Sequence, residues 1–140
     1  MTHEEKDLLL KDLSARLPYK VKGLVTFCGN RFMTAHHIED RTIDGNLYDR
    51  FAEFQDSWYD NVTIKPYLFP LSSMTEEQLQ EYTYIVNYIS PDDTDNWKEG
   101  EFIYVEQFSQ LLHFYHINHL DYIGLIPMGL AFDATGLNIY

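Results

Sequence analysis

The chain has 140 residues, of which 10 are basic and 22 acidic, giving a formal charge of −12. That length matches one domain, 1–140, since ordinary domains run to roughly 100–150 residues. A hydrophobic content of 45% supplies a core and argues against disorder. The charge excludes a general nucleic-acid surface, which needs clustered Lys and Arg, and equally excludes adhesion to an anionic membrane.

The first element reads as a helix. Thr2 and Glu5 form a capping box, Leu9, Leu10, Leu13 and Leu17 recur at helical spacing, and Pro18 stops the run. Residues 19–28 are β-prone and so are 31–38, and the Gly29-Asn30 pair between them predicts a hairpin. Residues 39–46 read as a loop. Over 47–58, Leu47, Phe51, Phe54 and Trp58 suit either a helix or a strand. The chain then runs extended from Val62 to Leu68, because Pro66 and Pro70 turn their predecessors away from helix.

Thr75 with Gln78 predicts the start of a second long helix, with Leu79, Tyr82, Val86 and Ile89 as its apolar stripe. A polar loop spans 90–100. A third helix is expected over about 102–117, with Val105, Phe108, Leu112 and Tyr115 on one face. The Gly-punctuated apolar segment 118–133 is expected to fold back on the body. The fold class predicted is α+β: an N-terminal helix, a small antiparallel sheet over 19–68 with barrel-like closure as one option, and two C-terminal helices.

One cysteine, Cys28, excludes an intrachain disulfide, and no apolar run approaches the roughly 20 residues of a membrane span. The N-terminus lacks the basic start and apolar run of a signal peptide, so a soluble cytoplasmic protein is expected. The acidity is spread along the chain. Residues 1–23 are nearly balanced, whereas 101–140 hold four acids and no Lys or Arg.

The residues best suited to metal are His113, His116 and His119, since imidazole suits zinc and i, i+3 neighbours can share an ion. Steps of three turn a helix by about 300°, so the three spread over about 120°. The plainer alternative leaves His113 in solvent and uses the other two to pack or cap the helix end. His36-His37 falls on a strand, where adjacent rings point to opposite faces. Asp93, Asp95 and Gly100 miss the register of a calcium loop. No catalytic constellation and no cofactor motif is present.

Aromatic residues make up 16% of the chain, more than a small core needs. Tyr and Trp favour protein interfaces, which nominates Tyr82, Tyr84, Tyr88, Trp97, Tyr104 and Tyr122 as an interaction surface. The function expected is a non-enzymatic module that binds another protein through an acidic, aromatic surface. Two alternatives stand beside it: a nucleic-acid mimic that occupies a DNA-binding protein, and a metal-dependent hydrolase using His113 and His116. Self-association into a homo-oligomer stays open.

Three stretches carry a resemblance. They are Leu8-Leu-Leu-Lys-Asp-Leu-Ser-Ala-Arg-Leu-Pro-Tyr19, Ile64-Lys-Pro-Tyr-Leu-Phe-Pro-Leu-Ser-Ser-Met-Thr-Glu-Glu77 and His119-Leu-Asp-Tyr-Ile-Gly-Leu-Ile-Pro-Met-Gly-Leu-Ala131. Together they resemble a family of short uncharacterised proteins abundant in Bacteroides-type gut bacteria and their mobile elements. The resemblance implies a bacterial or phage-derived cytosolic protein and no catalytic residues. It also implies basic residues where Phe69, Ile123 and Met128 stand here, so a contact made there in the family is altered in this chain.

Overall fold

The computed structural model describes residues 2–28, 36–53, 61–87 and 108–140. Helix α1 (His3–Arg16) begins at the expected capping box: the Thr2 hydroxyl accepts the Glu5 N–H at 3.1 Å, and Glu5 Oε2 accepts the Thr2 N–H at 3.0 Å. Leu9 and Leu13 are buried in the main core. Pro18 lies in a 3₁₀ turn (Leu17–Tyr19), after which Lys20 adopts a left-handed conformation, φ 58°, and turns the chain into the sheet.

Strands β1 (Lys22–Cys28) and β2 (His36–Thr42) pair antiparallel, from Lys22 with Thr42 to Cys28 with His36, as the hairpin reading predicts. The Gly29-Asn30 turn lies outside the described residues. Residues 39–42 and 45–46 correct the loop expectation, because the first continue β2 and the second open the next helix, leaving Ile43 and Asp44 as the link. The charges that suggested a loop are accommodated by alternation. Glu39 pairs with both His37 (3.1 Å) and Arg41 (3.0 Å), two residues away on the same strand face, while Asp40 points the other way and accepts the Tyr67 hydroxyl at 2.6 Å.

The ambiguous middle is helix α2 (Gly45–Glu53) as far as it is described; Phe54 and Trp58 lie outside. Asp44 Oδ1 caps it by accepting the Leu47 N–H at 2.9 Å, and Leu47 and Phe51 bury one face. Strand β3 (Asn61–Pro70) pairs antiparallel with β1. Beyond the end of β1 it takes two short parallel partners, β4 (Leu120–Asp121) and β5 (Phe132–Asp133). The sheet is therefore mixed rather than antiparallel, and it is open, not a barrel. Its order is β2-β1-β3-β4 with β5 also on β3, and the two-residue strands do not carry the pairing round to β2. Parallel partners arise because the chain returns to β3 only after a helical crossover.

Helix α3 (Glu76–Asn87) starts where expected, with Thr75 and Gln78 satisfying each other's backbone N–H groups at 3.0 and 3.2 Å. Helix α4 is described over 108–117. Ile89 and Val105 lie outside the described residues, and the rest of both expected stripes needs correction. On α3, Leu79 is 50% exposed and Ile85 is buried; on α4, Phe108 and Leu112 are exposed, and Phe114 and His116 are buried. The two helices pack on each other through Gln78, Tyr82 and Ile85, with the Gln78 side-chain amide donating to Asn118 Oδ1 at 3.0 Å. Helix α4 is also covered on its opposite side, so it has no single apolar stripe to read. Segment 118–133 does fold back: Leu125, Leu130 and Ala131 join the main core. Among the described residues no helix is long and apolar enough to cross a membrane.

Candidate functional site

A groove of about 650 Å³ lies between α3 and α4. Buried Ile85 and Phe114 form its floor. Glu81 and Tyr84 line it from α3, three residues apart and so on one helix face. Ser109, Gln110 and His113 line it from α4, and Tyr19 closes one end. Tyr19 arrives because the Pro18 turn ends α1 and swings the ring across the sequence to α4. Its hydroxyl lies 2.9 Å from His113 Nδ1, and its ring centroid lies 5.4 Å from the rings of both His113 and His116.

A buried polar layer backs α4 on the other side. Arg16 donates from Nε to Asp12 Oδ2 at 2.8 Å and from Nη2 to the Leu120 carbonyl at 2.7 Å. Its guanidinium also sits 5.4 Å from the Tyr122 ring centroid. Tyr122 stacks on Tyr115 (4.8 Å) and its hydroxyl lies 2.9 Å from His116 Nε2. Burial, with the Arg16 charge adding to it, pushes His116 and His119 down to about 4, so both are neutral at pH 7. Burial pushes Asp12 up from its ordinary value, and Arg16 pulls it part of the way back. Asp121 accepts the backbone N–H groups of Gly124, Leu125 and Ile126, which fixes the turn after β4.

The three histidines go to three different partners. His113 meets Tyr19, His116 meets Tyr122, and His119 stacks on Tyr140 with centroids 3.6 Å apart. Among the described residues no three His, Cys, Asp or Glu side chains group so as to hold a metal ion. Of the nominated aromatics, Tyr84 is 63% exposed and lines the groove. Tyr82 instead packs on Phe114 and Tyr115, and Tyr122 on Tyr115. Tyr88, Trp97 and Tyr104 lie outside the described residues, as does the 90–100 loop.

Sequence reasoning missed Tyr19, Glu81, Ser109 and Gln110 as lining residues, and read His113 as either a metal ligand or a solvated side chain, not as a groove wall. The spacing Glu81, Tyr84, Ile85 carried a signal, since it places an acid and an aromatic ring beside a buried position on one helix face. Phe69 and Ile123 are half-buried against different clusters and Met128 is exposed, so these three positions form no shared patch in the core packing.

These features define an open α+β fold carrying a helix-pair groove rich in aromatic rings and hydrogen-bond acceptors. Comparison with protein-family models, with curated proteins and with solved structures returned no match.

Proposed function

We propose that this chain is a protein-interaction module whose groove between α3 and α4 receives a segment of a partner protein. The observation that carries the reading is the exposed Tyr84 ring on the same helix face as the Glu81 carboxylate, in a groove whose lining among the described residues includes no Lys or Arg. Tyrosine combines a large apolar face with a polar tip at low entropic cost, which suits a binding surface more than a core. A cytoplasmic location and kinship with the Bacteroides-type family belong to the same proposal. A metal-dependent hydrolase on His113 and His116 has less support, because each of these rings already engages a tyrosine hydroxyl.

Selection of short peptides from a display library against the purified chain tests the reading. Selected peptides should shift the backbone amide resonances of 78–87 and 108–117, and Tyr84→Ser should abolish the shifts while leaving the melting temperature in place. Peptides that map to another surface, or a library that yields no binder, would count decisively against it.

A further inference from the structure

We infer that the outer face of the sheet pairs two copies of this chain, about a two-fold axis along β1 that sets Asp40 of each copy against Lys65 of the other. This surface shares no residue with the helix-pair groove and does not rest on the interaction reading.

Helices cover the inner face of the sheet. Val25, Val62 and Ile64 point there and pack with Leu9 and Leu13 of α1 and with Leu47 and Phe51 of α2. Alternation turns the neighbours of these strand residues to the outer face. The strand register lines them up there in two rows across β2, β1 and β3. One row is Ile38, Thr26 and Thr63, and the next is Asp40, Leu24 and Lys65. Ile38 is 57% exposed, and Thr63 and Asp40 are exposed too. Burial of Ile38 and Leu24 against a partner would be favourable.

The charges select the partner. The second row reads acid, leucine, base, with the charged positions two strand spacings apart, roughly 10 Å. Half a turn of a second copy about an axis along β1 lays Leu24 on Leu24, Thr26 on Thr26 and Ile38 on Thr63. It also brings Asp40 over Lys65 on both sides of the axis, as a self-complementary interface requires. The two sheets then stack nearly aligned, the usual arrangement of packed sheets. An axis across the strands would instead set Asp40 on Ile38 and Lys65 on Thr63, with neither charge met.

Both charges are held on the face. Asp40 Oδ1 accepts the Tyr67 hydroxyl at 2.6 Å, and Lys65 Nζ lies 4.1 Å from the Phe132 ring centroid. A carboxylate accepts several hydrogen bonds and an ammonium donates three, so each keeps capacity for the other copy. Lys22, the next β1 residue on this face, has its ammonium drawn to the Ile139 carbonyl at 2.7 Å. The two rows sum to zero charge in a chain of −12, so two copies meet least repulsion by approaching here. The patch is small, which makes the dimer reversible and concentration-dependent.

Sedimentation equilibrium of the whole chain over a concentration series should show monomer passing to dimer. Ile38→Lys should weaken the dimer by at least about tenfold without lowering the melting temperature of the monomer. Asp40→Lys and Lys65→Asp should each weaken it similarly. The two together should restore it, because every pair across the interface is again opposite in charge. In a mixture of isotope-labelled and unlabelled parent chains, filtered NOEs should join the Leu24 methyls of one copy to those of the other. A chain that stays monomeric, a dimer indifferent to Ile38→Lys, or a double charge variant no better than either single one would overturn the inference. Filtered NOEs arising from 78–87 and 108–117 would overturn it as well, by showing that the copies meet through the groove.

Discussion

Arg16 and Asp12 face each other one turn apart on α1, Nε to Oδ2 at 2.8 Å, and neither side chain reaches solvent. Through the Leu120 carbonyl the same guanidinium ties the N-terminal helix to β4. The pair is not fully satisfied: Asp12 Oδ1 and Arg16 Nη1 have no hydrogen-bond partner among the described residues. Removing one member of such a pair strands a buried charge, whereas replacing both with apolar groups removes the desolvation cost as well.

Arg16→Met is therefore expected to destabilise the fold by about 3–5 kcal/mol, and Asp12→Leu combined with Arg16→Met by much less. Urea denaturation of the two single variants and the double variant measures this. A double variant no more stable than Arg16→Met alone would show that the Leu120 tie, not the ion pair, dominates.

The same pair shows where the sequence could be read and where it could not. On helical angles Arg16 lies within about 20° of Leu9, in the middle of the buried stripe, so its burial is visible once the stripe is taken without regard to residue type. The two capping boxes, the hairpin and the Pro66 to Thr75 connector are local, and each follows from residues within a few positions. The faces of α3 and α4 are not local. They depend on partners such as Gln78 with Asn118 and Tyr19 with His113, the latter 94 residues apart. The groove was illegible for the same reason, being assembled from the end of α1 and the two helices. Of the nominated aromatic residues that are described, Tyr84 lines it and Tyr82 and Tyr122 do not, with the histidine candidate His113 on the facing wall, because composition nominates aromatic residues without saying which way they face.

Acid should weaken the fold through the histidines. His116 and His119 titrate near 4 when folded, through burial first and the Arg16 charge second, against 6.5 in an ordinary setting. As pH falls through that window the unfolded chain takes up protons that the folded chain refuses, so stability falls with it. Asp12, pushed up by burial, works in the opposite direction at the acid end, because its folded form accepts a proton more readily. Thermal melts at half-unit intervals from pH 7 to pH 4 should show a falling melting temperature. His116→Gln keeps a hydrogen-bonding group near Tyr122 without the titration, and should flatten the fall. A variant as steep as the parent would remove His116 from the account.

Gly23 sits where β1 and β3 approach closely. A Cβ there would stand 3.0 Å from the Lys65 carbonyl oxygen, 3.2 Å from Pro66 Cα and 3.2 Å from Ile43 Cδ1. Two of those three are backbone of the neighbouring strand and cannot rotate away. Gly23→Ala should cost about 1–3 kcal/mol by overpacking, read from the urea midpoint. A neutral result would mean that β1 and β3 can separate slightly without loss.

The contact between Tyr140 and His119 gives the most separable prediction. His119 follows α4 in the left-handed region, φ 54°, a conformation that favours glycine. Its ring lies on Tyr140 at 3.6 Å and 14°, and its carbonyl accepts the Phe69 N–H at 2.8 Å. The Tyr140 hydroxyl accepts the Lys22 N–H at 2.8 Å and donates to the Tyr67 carbonyl at 2.7 Å, so one side chain joins the turn after α4 to β1 and β3. Tyr140→Phe keeps the stack and loses both bonds, which should cost about 1–3 kcal/mol. Tyr140→Ala loses the stack as well and should cost more. If the stack holds His119 in its strained backbone, then Tyr140→Ala and His119→Ala should be strongly non-additive, whereas Tyr140→Phe and His119→Ala should add. Additive losses in both cycles would place the stabilisation in the hydroxyl contacts alone and leave the ring with no part in fixing the turn.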